Sequence, residues 1–200
     1  MALLGALAAA VAFTACSDSS VATAPNGSPH GASLALAPVA TPTSSRVVSE
    51  QSVGDTAVLV FVVGTGPSTF SIDGRGSVVF PNAMASICDP ATSSYGVGTW
   101  DSPCRAATKP VEITAKLWTN AAGRTQMDFQ PALRFVPGLA QSVTLWLKNS
   151  NGGTRIDYCA PRGCINEALN DRSQSTNFDG TNGSLKRAIK HFSGYTVTAD

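Results

Sequence analysis

Five cysteines, one histidine outside a Pro- and Ser-rich stretch and three tryptophans are the residues of this 200-residue chain best equipped for site chemistry. Cys16 directly follows an apolar N-terminal run and stands apart. The other four, Cys88, Cys104, Cys159 and Cys164, form an even set, which in an exported chain reads as disulfides before metal. Three pairings are possible. The local one, Cys88 with Cys104 and Cys159 with Cys164, is expected because each pair brackets a loop-rich stretch, CDPATSSYGVGTWDSPC and CAPRGC. Closing the longer loop is worth about 3 kcal/mol in the chain-entropy model. No C-x-x-C knuckle and no histidines at ligand spacing occur, so no metal or other cofactor is expected. A hydrolase acting on an external substrate would need a Ser or Cys nucleophile with a histidine and a carboxylate. Here there is no G-x-S-x-G, and His191 is the one histidine of the folded part. The stretch NFDGTNGS at 177–184 has Lys186 where a calcium loop needs its twelfth-position glutamate, and it reads as a polar turn. Tyr95, Trp100, Trp118 and Trp146 could stack on sugar rings as a glycan-contact surface. Strand parity puts Trp118 and Trp146 on polar faces, either exposed or, as expected here, covered by the 88–104 loop.

The elements that must position these residues are β-strands. Charged residues are 14% of the chain and the net charge is +1, which leaves no electrostatic footprint for nucleic acid or an anionic membrane surface. No stretch after residue 45 keeps a helical period; short alternating or β-branched runs bounded by turn residues recur instead. Residues 57–63 (AVLVFVV) read as a strand buried on both faces or at the centre of a sandwich, and 77–80 as a short strand. In 111–118 Val111, Ile113, Ala115 and Leu117 alternate with polar partners. Residues 133–136 read as a strand before Pro137-Gly138. Val143, Leu145 and Leu147 define another strand, which the Asn-Ser-Asn-Gly-Gly turn at 149–153 should join to 154–158 as a hairpin. Residues 185–197 close the chain as two short strands or one kinked at Gly194, and a short helix fits 166–171. About eight short strands at this spacing predict an all-β fold, an antiparallel β-sandwich over 46–200.

Residues 1–15, MALLGALAAAVAFTA, have the length and apolarity of a signal peptide and are too short to span a bilayer. Thr14-Ala15-Cys16 resembles the lipobox of bacterial lipoproteins. The resemblance implies cleavage before Cys16 and lipidation of its thiol, and so a membrane partner through the anchor; an ordinary cleaved signal peptide is the alternative. Ser17 after the cysteine resembles the sorting signal of outer-membrane lipoproteins. Residues 17–45 are small and Pro-rich, cannot offset their ordering entropy by burial, and read as a flexible linker with His30 solvated in it.

The closing run IKHFSGYTVTAD is similar to the terminal motif of ZU-5 domains. GRGSVVFPNAM and FQPALRFVPGLAQSVTLWLK resemble the opening and central segments of the same β-sandwich family. The resemblance covers about residues 56–200, although typical members lack the two cysteine loops. It implies a non-enzymatic interaction or scaffold module whose partner is an envelope protein or glycan. It also implies an alternative, because some relatives cleave themselves at a His-hydrophobic-Ser/Thr step. Here that step is Phe192–Ser193: His191 would take the Ser193 proton, and the hydroxyl would attack the Phe192 carbonyl. Against it stands a buried His191 that ties a loop carbonyl, with Ser193 bonded locally. The intact mass of the unreduced chain from Ser17 separates these readings. Two disulfides lower it by four hydrogens with no fragment, whereas self-cleavage also removes everything from Ser193 onward.

Overall fold

Alternation of apolar and polar residues builds twelve strands among the described residues, which in this computed structural model are 44–138 and 143–199. The expected signal peptide, Cys16 and all but the last two residues of the linker lie outside them. Ser44 and Ser45 already belong to the domain, through a bridge to Thr65 and a hydrogen bond from Gly64 N to Ser45 Oγ. The strands are β1 (Arg46–Val53), β2 (Thr56–Val63), β3 (Ser68–Ile72), β4 (Gly76–Phe80), β5 (Val111–Thr119), β6 (Thr125–Gln130), β7 (Thr144–Lys148), β8 (Arg155–Ala160), β9 (Gly163–Ile165), β10 (Asn177–Asp179), β11 (Ser184–Ala188) and β12 (Gly194–Thr198).

They pair antiparallel into a seven-stranded sheet, β1-β2-β5-β6-β12-β8-β9, and a five-stranded sheet, β10-β11-β7-β4-β3, in a sandwich-like arrangement. Ala57, Leu59, Phe61, Ile113, Leu117 and Phe129 line the core from the first sheet; Phe70, Phe80, Leu145, Leu147 and Leu185 line it from the second. Stacked rings fill the core, Phe61 on Phe70 across the layers at 4.1 Å and Phe129 on Phe192, which lies outside both sheets, at 4.0 Å. Such pairs add about 0.5–1.5 kcal/mol beyond burial. Both disulfides join the expected neighbours, Cys88 to Cys104 and Cys159 to Cys164, with Cα atoms 5.6 and 3.9 Å apart. They mark the chain as belonging to an oxidising, extracytoplasmic setting. Among the described residues no helix is long and apolar enough to cross a membrane.

Several local expectations are corrected. β2 is not buried on both faces along its length, since Val58 and Val60 on its outer side are only half-buried. Residues 149–153 do not close a hairpin. β7 pairs with β4 and β11, β8 pairs with β12 and β9, and the turn is an arch from one sheet to the other. An arch lets Leu147 and Ile156 enter one core from opposite walls, whereas a hairpin would put both on the same wall. Asn151 and Gly152, both at positive φ, give it its sharp bend. Residues 133–136 form isolated bridges rather than a strand, to Ile87 on one side and His191 on the other. The expected helix at 166–171 is instead two short 3-10 turns, Glu167–Leu169 and Arg172–Gln174, begun by the Asn166 and Asp171 side chains. Of the two readings of the closing segment, two short strands is the one formed, β11 in one sheet and β12 in the other.

Gly153, at the end of the arch, has no room for a side chain: a Cβ there would overlap the Val197 Cγ1 methyl of β12. Gly153→Ala is therefore expected to destabilise the fold by about 1–3 kcal/mol, the usual range for overpacking. A urea unfolding midpoint unchanged from wild type would contradict this.

Candidate functional site

The chain leaves β11 in the five-stranded sheet and enters β12 in the seven-stranded one through residues 189–193, so His191, Phe192 and Ser193 lie on the crossing between layers. The crossing is held by backbone bonds to 133–136, with Phe192 N donating to Leu133 O and Phe135 N to Lys190 O at 2.8 Å. Phe192 is fully buried, stacked on Phe129 and edge-on to Phe80 and Phe135. Beyond Ser193, Gly194 opens β12 opposite Cys159; a Cβ there would stand 3.1 Å from the Cys159 carbonyl oxygen. The Phe192–Ser193 bond is thus bracketed by a core-anchored ring on one side and a sheet-bound strand on the other.

His191 has no exposure to solvent. Its Nε2 lies 3.0 Å from Glu167 Oε1 and its Nδ1 lies 3.2 Å from Ser193 Oγ. Glu167 accepts at its other oxygen from Arg187 Nη2 at 2.9 Å, and the Arg187 guanidinium also donates to Gln174 Oε1 and to the Ile156 carbonyl. A carboxylate held by arginine accepts the Nε2 proton and so fixes the tautomer whose Nδ1 lone pair faces the serine, the orienting role of the third member of a triad. The ring is clamped by Trp100, stacked at 4.0 Å, and by Tyr158 edge-on at 4.7 Å. Tyr195, whose phenol burial pushes well above its ordinary range, donates to the His191 carbonyl at 2.7 Å.

The carbonyl of the bracketed bond has a donor of its own: Tyr95 O–H donates to Phe192 O at 2.7 Å. Burial raises the Tyr95 phenol to about 12, a hydrogen bond with Ser193 only partly offsetting it, so the group stays protonated at neutral pH. Beside it, burial would lower Lys190, but its bonds to Asp101 and Asp171 outweigh that and hold the amine above its ordinary range. The same contact with Lys190, followed by one with Ser173, holds the Asp171 carboxyl well below the usual carboxylate range. Ser193 also borders an open cleft of about 480 Å³, lined by Tyr95, Trp118, Asp128 and Tyr158 among others.

His191 and Ser193 are therefore brought together, and His191 ties a carboxylate rather than a loop carbonyl. They meet on an irregular segment, 189–193, and not on the face of a regular strand. The four aromatics weighed for glycan stacking do not form one platform. Trp100 covers His191, and half-buried Trp118 lies on β5 beside the Ser193 cleft. Trp146 lies on the other sheet and is capped by Lys186, whose Nζ is 4.7 Å from the ring centroid, rather than by the 88–104 loop. Trp146 instead walls a groove of about 520 Å³ with Ser71, Ser77 and Lys148. Residues 177–184 form a β10–β11 hairpin whose Asp179 carboxylate accepts from Thr181 N and Asn182 Nδ2.

Sequence reasoning missed Glu167 and Arg187. Arg187 left a usable signal, since it has the parity of buried Leu185 in β11 and of buried Ile189 just after it, and so had to point inward. Glu167 left none beyond being one of three glutamates.

Comparison with models of known protein families, with curated proteins and with solved structures finds no match.

Removing Glu167 strands a fully buried guanidinium beside a buried imidazole. Glu167→Ala is expected to cost about 3–5 kcal/mol in urea unfolding, while the pair Glu167→Leu with Arg187→Met, which removes both charges, costs less. A single substitution milder than the double one would refute this account of the ion pair.

Proposed function

We propose that the chain is a self-processing β-sandwich of the bacterial envelope, ZU-5-like and lipid-anchored through Cys16, that cleaves its own Phe192–Ser193 bond. The observation carrying this reading is the contact of Ser193 Oγ with His191 Nδ1 at 3.2 Å beside a Phe192 carbonyl that already accepts the Tyr95 hydroxyl. His191 Nδ1 takes the Ser193 hydroxyl proton as Oγ attacks the Phe192 carbonyl carbon, and Tyr95 stabilises the charge that develops on the oxygen. The C–N bond then breaks, and the proton held by His191 passes to the departing Ser193 nitrogen. What remains is an ester between the Phe192 acyl group and Ser193 Oγ, with a free α-amine on Ser193. Water from the adjoining cleft hydrolyses the ester. One water is consumed, Phe192 gains a carboxylate and the hydroxyl of Ser193 is restored. Glu167 and Arg187 act through His191, as positioning residues.

A second reading, the non-enzymatic interaction module, draws on the apolar side chains left exposed near the same crossing: Val97 at 85%, Leu169 at 82% and Ile165 at 53%. Val97 and Ile165 share the wall of a pocket with Trp100 and Glu167. On that reading the mature chain keeps its full length.

Denaturing mass spectrometry of the oxidised chain over time decides between them. Self-cleavage yields a main chain ending at Phe192 and a peptide of the eight residues from Ser193 to Asp200. Ser193→Ala stays whole, Ser193→Cys still cuts, and His191→Ala cuts slower by about 10²–10⁴-fold. A wild-type chain that keeps its full mass after prolonged incubation would sink the proposal.

A further inference from the structure

Three side chains of the single loop closed by the Cys88–Cys104 disulfide engage three consecutive residues of the crossing. Asp101 pairs with Lys190, the Trp100 ring lies on His191, and Tyr95 O–H donates to the Phe192 carbonyl. The loop thus supplies both the cover over the base and the donor to the carbonyl under attack. Little else holds it in place. Between its ends it contains no strand or helix, Gly96 and Gly98 sit at positive φ, and Tyr95 and Val97 are 39% and 85% exposed. Its fixed points are few: Arg134, which donates to the Thr99, Ser102 and Pro103 carbonyls, and short backbone pairings of Ile87, Cys88 and Asp89 with residues 105–107. A loop of this length, rich in Gly and Ser, has a large conformational entropy to lose, and a covalent clamp across its base removes much of that loss in advance.

We propose that self-cleavage is licensed by oxidation of Cys88 and Cys104: the bond at Phe192–Ser193 is cut only once the disulfide has closed the loop that carries Tyr95 and Trp100 onto the crossing. This rests on the self-processing reading above. In the closing step the two thiols lose two protons and two electrons to an external disulfide, which is reduced to two thiols. A chain still in a reducing compartment then holds an open site, and cutting begins after export. The second disulfide has a different place: it closes the β8–β9 turn, where Cys159 pairs with Gly194 of β12 and borders the Ser193 cleft, and it carries neither Tyr95 nor Trp100.

The test uses the full chain carrying Cys16→Ser, synthesised cell-free under dithiothreitol and then treated with glutathione disulfide. Far-UV circular dichroism follows the sheet, and denaturing mass follows the cut. The reduced chain is expected to show its sheet signal and stay whole. After oxidation it should lose the segment from Ser193, at a rate about ten- to a hundred-fold above the reduced chain. Cys88→Ser with Cys104→Ser should remain at the reduced rate whatever the redox state, while Cys159→Ser with Cys164→Ser should still respond to oxidation. Tyr95→Phe, with its disulfide formed, should also cut at least about ten-fold slower. Equal cutting of reduced and oxidised chains, or wild-type cutting by the Cys88/Cys104 variant or by Tyr95→Phe, overturns the inference. So does a reduced chain without sheet signal, because oxidation would then act through global folding. An oxidised wild type that never cuts defeats the self-processing reading itself, a result distinct from any of these.

Discussion

A guanidinium cannot shed its charge, and Arg187 occupies an inward-facing position of β11 between Leu185 and Ile189, with none of its side chain exposed. That one placement sets terms for a large part of the molecule. The charge needs acceptors within the sandwich, and it finds the Ile156 carbonyl on β8, the Gln174 amide oxygen and the Glu167 carboxylate. The connection after β9 must therefore pass close to the gap between the sheets, and it does so as two 3-10 turns whose buried residues are Glu167 and Gln174. Glu167, drawn in by arginine, has a second oxygen to satisfy. His191 satisfies it, and the orientation this gives the imidazole brings its other nitrogen to Ser193. A requirement of charge burial thus runs through three side chains to a single hydroxyl.

The other half of the arrangement comes from where the chain changes sheets. Inside a ladder the Phe192 carbonyl would have a backbone partner; on the crossing it is left to a side chain, Tyr95, from a loop remote in sequence. The Phe192 ring sits in a nest of three phenylalanines and β12 is hydrogen-bonded on both flanks, so little freedom remains in the bond between them. Positioning of this kind is what an intramolecular attack demands of a scaffold, since the entropic cost of aligning the reacting groups is met when the domain folds.

Much of this was legible in the residues, and the parts that were not share a physical cause. Strand parity located the core faces of β5 and β7, because one-sided burial writes a period of two into the sequence. The disulfide partners followed from loop composition. The resemblance to ZU-5 motifs drew attention to His191 and Ser193. What parity cannot carry is which sheet a strand joins: the Asn-Ser-Asn-Gly-Gly turn at 149–153 serves an arch as well as a hairpin, and Trp118 and Trp146 both read as outward although they lie on different layers. Partners distant in sequence leave no local trace, so neither the Glu167 contact to His191 nor the reach of Tyr95 to Phe192 could be read from spacing.

The position of β12 has a consequence for the order in which the molecule is assembled. Among the described strands it comes last along the chain, yet it lies inside the seven-stranded sheet between β6 and β8. β1, β2, β5 and β6 can zip together as they emerge, but the β8–β9 pair is joined to them only when β12 takes its place between β6 and β8. The sheet is completed from its middle, by a segment that must find two partners far away along the chain, a kind of pairing that is intrinsically slow. The keystone of the domain is therefore β12, and no fragment that stops short of residues 194–198 contains the finished fold.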